Sequence, residues 1–116
     1  MSGAAIAVGD KLHIITRRQF EEDVRRHFVG QVTAVSGALQ EIQGYAFVFD
    51  SGTNEYKRRP ELRTRVLSVG EGTFIVTKLP PDVVVESLQY RVVEKRVVVS
   101  DGKAFKLDIN EFGGSR

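Results

Sequence analysis

The densest chemistry in this sequence is cationic. Lys57, Arg58, Arg59, Arg63 and Arg65 crowd one short window, opposed within it only by Glu61. Arginine makes bidentate hydrogen bonds to phosphate oxygens, so a run of this kind can hold a phosphate backbone. Tyr56, at its head, offers a ring on which a base can stack. On a strand Arg63 and Arg65 share a face, and Arg59 approaches them across Pro60. The plainer reading is a solvated strand face whose charges block edge-to-edge aggregation. A second basic group, Arg17, Arg18, Arg25, Arg26 and His27, is interleaved with Glu21, Glu22 and Asp23. Interleaved acids point to internal ion pairs rather than to a phosphate track.

Catalytic chemistry finds no foothold. There is no G-x-S-x-G elbow, no phosphate loop and, with no cysteine, no thiolate nucleophile. The Glu21-Glu22 pair sits among charges, where nothing would raise a carboxyl pKa for acid work. His13 and His27 are the only histidines. Neither has a partner at metal-ligand spacing, and a zinc site needs at least three protein ligands. His13 lies in an apolar strand and reads as a packed or surface residue. The expectation is a chain that is not an enzyme, with no metal and no small-molecule cofactor.

With 116 residues and a net charge of +2, the chain reads as one mildly basic domain. It is long enough to fold on its own core without metal or disulfide. No apolar run reaches the ~20 residues that span a bilayer. Met1 to Gly9 is small and apolar without a basic region ahead of it, so it reads as a flexible lead rather than a signal peptide. These features point to the cytoplasm and away from membranes.

The elements that must carry these residues are strands. Short segments rich in Val, Ile, Thr, Phe and Tyr alternate with Gly, Asn, Asp, Ser and Pro. Lys11 to Thr16 is a first strand, and His27 to Val35 a second, with Phe28, Gly30, Val32 and Ala34 on one face. Leu39 to Asp50 is a third strand, kinked at Gly44, with Tyr45, Phe47 and Phe49 on one face. Glu55 to Arg59 returns from it. Arg63 to Val69 and Thr73 to Leu79 read as a tight hairpin across Gly70-Glu71-Gly72. Tyr90 to Val99 and Ala104 to Ile109 pair across Ser100-Asp101-Gly102-Lys103, where Asp-Gly favours a turn. Gln19 to Phe28 has a helical spacing, with Phe20, Val24 and Phe28 four apart, but is too short to hold a helix alone. It reads as a charged loop, or as a single helical turn. The core is expected from Leu12, Ile14, Phe28, Val32, Phe47, Val66, Phe74 and Val76.

Two stretches resemble the paired motifs of the Sm-like family (LSm and Hfq-type), small five-stranded barrels. The first is Phe28-Val29-Gly30-Gln31-Val32-Thr33-Ala34-Val35 followed by Ser36-Gly37-Ala38-Leu39-Gln40-Glu41-Ile42. The second is Arg65-Val66-Leu67-Ser68-Val69-Gly70-Glu71-Gly72-Thr73-Phe74-Ile75-Val76-Thr77. Order, spacing and glycine positions agree over residues 11 to 80. The polar positions differ. Ser36 stands for the family's aspartate, Ala38 for its stacking residue, Gln40 for its asparagine and Val69 for its arginine. Of the motif residues only Gly30 and Gly70 transfer, and both are structural.

The resemblance implies an all-β fold, a small SH3-like or Sm-like barrel with an additional C-terminal β-hairpin. Residues 1–9 are then a flexible N-terminus, 10–81 the barrel and 82–112 the hairpin extension of the same domain. It implies a non-catalytic binding or assembly module; RNA as a partner is expected from the local excess of positive charge, not from the family's contact positions. The residues to carry RNA are Tyr56, Lys57, Arg58, Arg59, Arg63 and Arg65. It also implies a homo-oligomer, because in the family one subunit's fourth strand pairs with the next subunit's fifth. Here those are 63–69 and 73–79. The alternative is a structural or protein–protein interaction module without nucleic acid. A third class, a cyclic-dinucleotide receptor of the PilZ kind, has only Arg59-x-x-x-Arg63 behind it, since the motif's other half is absent downstream.

Overall fold

The computed structural model describes residues 6–17, 26–50, 52–53, 55–68, 72, 74–93, 96–103 and 105–108, with backbone only at 92, 93 and 108. Among the described residues nine strands run in the order β1 (Lys11–Thr16), β2 (Arg26–Ser36), β3 (Leu39–Asp50), β4 (Glu55–Arg58), β5 (Arg63–Leu67), β6 (Phe74–Leu79), β7 (Gln89–Val93), β8 (Arg96–Ser100) and β9 (Lys106–Asp108). A 3-10 turn, Val85–Ser87, interrupts them. The fold is all-β and antiparallel. Among the described residues no helix is long and apolar enough to cross a membrane.

β1 to β6 form one six-stranded sheet in the order β4-β3-β2-β1-β6, with β5 also on β3. The long β3 serves two partners along one edge: Gln40–Gly44 face β5, and Phe47–Asp50 face β4. The change of partner falls at the expected kink, Gly44. The sheet is open, since no pairing joins β6 to β4 or β5 among the described residues. The hairpin expected between 63–69 and 73–79 therefore does not form. β5 is committed to β3 and β6 to β1, at opposite ends of the sheet.

Strand alternation divides this sheet into two faces, and both are buried. Leu12, Ile14, Phe28, Val32, Ile42 and Ala46 build a first core, with Ile6, Leu67, Phe74 and Val76 packed on it. Val29, Phe47, Leu79, Val83, Val85, Leu88 and Val99 build a second, with Tyr45, Tyr90, Phe105 and Leu107 around it. The single core expected from sequence is thus two, and Phe47 belongs to the second. Phe74 and Val76 are half-buried, and Val66, expected inside, is 59% exposed. Val66 pairs with Glu41 on the opposite side of β5 from Leu67, so its neighbour takes the core position.

The second core exists because the C-terminal segment folds back over the sheet. Lys11 Nζ donates to Pro81 O (2.7 Å) and Val83 O (2.6 Å), which pins the connector after the two prolines. Val83, Val85 and Leu88 then bury against the sheet, each such side chain contributing about 1.5–3 kcal/mol. β7, β8 and β9 form a separate three-stranded meander. This corrects the expected hairpin. Tyr90 to Val99 is two strands, with Val93 opposite Arg96 and only two residues between them. No Gly or Asn stands between the two strands in sequence, so the apolar run read as continuous. Of the Gln19 to Phe28 stretch, 26–28 are strand, and the rest lies outside the described residues. At the N-terminus Ile6 packs on the first core, Ala7 N donates to Asp10 Oδ2 (2.9 Å) and Gly9 N to Val32 O (2.9 Å).

Candidate functional site

The basic run lies along one edge of β3, and the pleat of β4 and β5 distributes it over both faces. Tyr56 and Arg58 oppose Phe49 and Phe47, on the side of the second core. Lys57 opposes Val48, and Arg63 and Arg65 oppose Gly44 and Ile42, on the side of the first. Arg63 and Arg65 share a face as expected. Tyr56 and Arg58 do not share it.

Each member has its own surroundings. Lys57 Nζ is 3.3 Å from Asp50 Oδ2. The Gly52 N–H, with Lys57, holds the Asp50 carboxyl below the usual carboxylate range. Arg63 Nη2 is 3.5 Å from Glu61 Oε1. Exposed pairs of this kind contribute about 0–1 kcal/mol and yield readily to another anion. Arg58 is held more firmly. Its Nη1 donates to Glu86 O at 2.6 Å, and its guanidinium lies 4.8 Å from the Tyr45 ring centroid. It therefore ties the connector to the sheet. Arg65 sits 5.5 Å over Phe28, at the margin of the first core, and Arg59 is exposed. Tyr56 packs against Tyr90, His27 and Phe49, at centroid distances of 4.7, 4.7 and 5.2 Å. Its half-buried ring thus belongs to an aromatic cluster.

That cluster brings together residues that sequence reasoning kept apart. The hydroxyl of Tyr90 on β7 reaches His13 Nε2 on β1 at 2.8 Å and also hydrogen-bonds His27 Nδ1 on β2. One hydroxyl thus serves two imidazoles, donating to one ring nitrogen and accepting from the N–H of the other. The imidazoles meet edge to face at 5.3 Å, and Phe47 lies 4.7 Å from Tyr90. His13 is 1% and His27 5% exposed. Burial pushes His13 down to about 4 and, with Tyr56 nearby, pushes the Tyr90 phenol well up. His13 Nδ1 has no hydrogen-bond partner among the described residues, so a second proton on this ring would find no acceptor. The network is enclosed and fixes the C-terminal meander on the sheet. One sequence signal pointed to it. His13 alternates with Leu12 and Ile14, which places it on the same sheet face as Val29 and Phe47 once strands are paired.

Among the described residues no group of three or more His, Cys, Asp or Glu gathers where it could hold a metal ion. Comparisons with family models, with curated proteins and with solved structures find no match for this chain.

Proposed function

We propose that this chain is a non-catalytic assembly module of Sm-like architecture that associates with copies of itself through β5 and β6. One observation carries the reading. These strands lie towards opposite ends of one open sheet, and neither has a backbone partner on its outer edge among the described residues. In the Sm-like reading they correspond to the strands that join subunits in that family. β6 has a single charge, Lys78, engaged with Asp10 at 3.3 Å, so its edge is weakly guarded against pairing. Beside the β5 edge, Val66 is 59% and Leu39 48% exposed, on the same face of neighbouring strands. Among the described residues the C-terminal meander pairs with neither edge and covers a face instead. A head-to-tail contact that closes gives a cyclic oligomer.

Light scattering coupled to gel filtration tests this. The expected mass is a multiple of 12.9 kDa, and Val66→Lys, on an exposed side chain, is expected to shift it towards the monomer. A parent protein that stays monomeric at micromolar concentration ends the assembly reading and leaves a protein-interaction module.

RNA contact is a second reading, favoured by Lys57, Arg63 and Arg65 on one side of the sheet. Affinity for single-stranded RNA is then expected to fall with salt, with a log–log slope of about −0.7 per phosphate contacted. Arg63→Ala with Arg65→Ala is expected to make that slope shallower by about 1.4 if each side chain meets one phosphate. Absence of binding at low salt removes RNA from the account.

A further inference from the structure

The outer face of the C-terminal meander carries a cavity of about 280 Å³ lined by Arg91, Val98, Ser100, Gly102, Lys103 and Lys106. Its construction follows from strand alternation. Tyr90 and Val99 turn inward to the second core, so Arg91, Val98 and Ser100 project outward. Val98 (8% exposed) and Ser100 (4%) form the floor. Arg91 stands opposite Val98 on β7, Lys106 opposite Ser100 on β9, and Lys103 belongs to the connecting turn. Three cations from three different elements therefore converge above one buried hydroxyl.

Among the described lining residues the charges are all positive, and Asp108 stands at the register position opposite Val98 on β9. Among the described residues none of the three cations makes an ion pair. The acid in the turn, Asp101, accepts from Lys103 N at 2.8 Å. Ser100 Oγ accepts from Gly102 N at 3.0 Å, made possible by a left-handed Gly102 with φ of 81°. With that lone pair engaged, the Ser100 hydroxyl hydrogen remains to be donated.

We propose that this cavity is a phosphate site, taking the phosphate group of a small ligand. Three cations and a hydroxyl arriving from different directions suit a doubly charged tetrahedral anion. A planar monocarboxylate would engage one guanidinium fork and leave the lysines unmatched. The volume lies below the roughly 300–1,000 Å³ of pockets for drug-sized ligands, so it fits a phosphate with a short appendage. This site stands on a different sheet from the assembly edges and does not depend on them.

The test is an amide-shift titration of the full chain by NMR, at constant ionic strength, with inorganic phosphate and separately with ribose 5-phosphate. Saturable shifts are expected at Ser100, Gly102 and Lys103. Arg91→Gln and Lys106→Gln are each expected to weaken binding about tenfold, the effect of losing one charge-assisted hydrogen bond. Lys78→Gln, a surface cation elsewhere, is expected to leave it unchanged. Tighter binding of the sugar ester identifies a phosphorylated metabolite as the ligand, and equal binding identifies the free anion. The proposal is overturned if neither compound gives saturable shifts, or if Lys78→Gln weakens binding as much as Lys106→Gln does. All three substitutions fall on exposed side chains, and unchanged core resonances at Val99 and Leu107 establish that each variant is folded.

Discussion

Replacing Gly44 with Ala is expected to cost about 3 kcal/mol or more, because the new methyl group would have to occupy the neighbouring backbone. A Cβ at this position lies 1.9 Å from Val29 O, 2.5 Å from Gly30 Cα and 2.8 Å from Val29 C. All three atoms are main chain of β2, the strand to which β3 is hydrogen-bonded. No change of rotamer relieves such a contact; β2 and β3 must separate. Overpacking a core costs about 1–3 kcal/mol when side chains can adjust and more when they cannot. A domain has only about 5–15 kcal/mol in total. The site is also badly placed for local repair. Gly44 faces Gly30, where a Cβ would itself lie 2.6 Å from Gln43 O, and it ends the stretch of β3 that pairs with β5. Separation there disturbs both cores, since Phe28 and Val29 precede Gly30 on opposite faces. Gly72→Ala is the control, with nothing within 4 Å of its Cβ, and it is expected to stay within about 0.5 kcal/mol of the parent. Urea unfolding measures both. A Gly44→Ala protein within about 1 kcal/mol of the parent would show that the strands part there easily.

Acidification is expected to remove about 3 kcal/mol through His13 alone. Its folded value of about 4 lies below the ordinary 6.5. Between those two pH values the unfolded chain binds a proton that the folded chain refuses, so stability rises with pH across that window. The contribution is complete above about pH 6.5, declines as pH falls and is lost below about 4. At 1.36 kcal/mol per pH unit the separation gives the figure above. The cause is local. The ring is 1% exposed, its Nδ1 has no acceptor among the described residues, and its Nε2 meets a Tyr90 hydroxyl already bonded to His27. The test is urea unfolding at pH 7.5, 5.5 and 4.5 for the parent and for His13→Phe. The carboxylates titrate in both proteins, so the difference between the two pH profiles isolates the imidazole. His13→Phe is expected to flatten the profile between pH 6.5 and 4. Parallel profiles would mean that this ring reaches solvent and takes its proton freely. Tyr90→Phe supplies a second reading, because it removes the shared hydroxyl without changing ring packing. It is expected to cost about 1–2 kcal/mol at neutral pH.

The local β character of this chain was written in its residues. Lys11–Thr16 and Leu39–Asp50 are strands over the residues that sequence patterning indicated, and β2 differs by one residue at each end. Period-two alternation of Val, Ile, Phe and Tyr between turn residues is a local property, and it survives folding. Inward positions such as Leu12, Ile14, Phe28 and Val32 were legible for the same reason. Pairing was a different matter. Whether Arg63–Leu67 meets Phe74–Leu79 or β3 depends on which edges are available, and a turn signal between two apolar runs cannot report that. The break in Tyr90 to Val99 was hidden because Glu94-Lys95 carries no φ preference that would mark it. Most of all, the second core was invisible. An alternating strand names two faces, but only the return of the C-terminal meander decided that both would be covered. That return packed Tyr56 into an aromatic seam and made Arg58 a clamp on Glu86 O. It also placed one tyrosine hydroxyl between His13 and His27. The hydrogen bonds among these contacts join residues 28 to 77 positions apart, where covalent neighbours exert no influence and only packing of one sheet on another can bring them together.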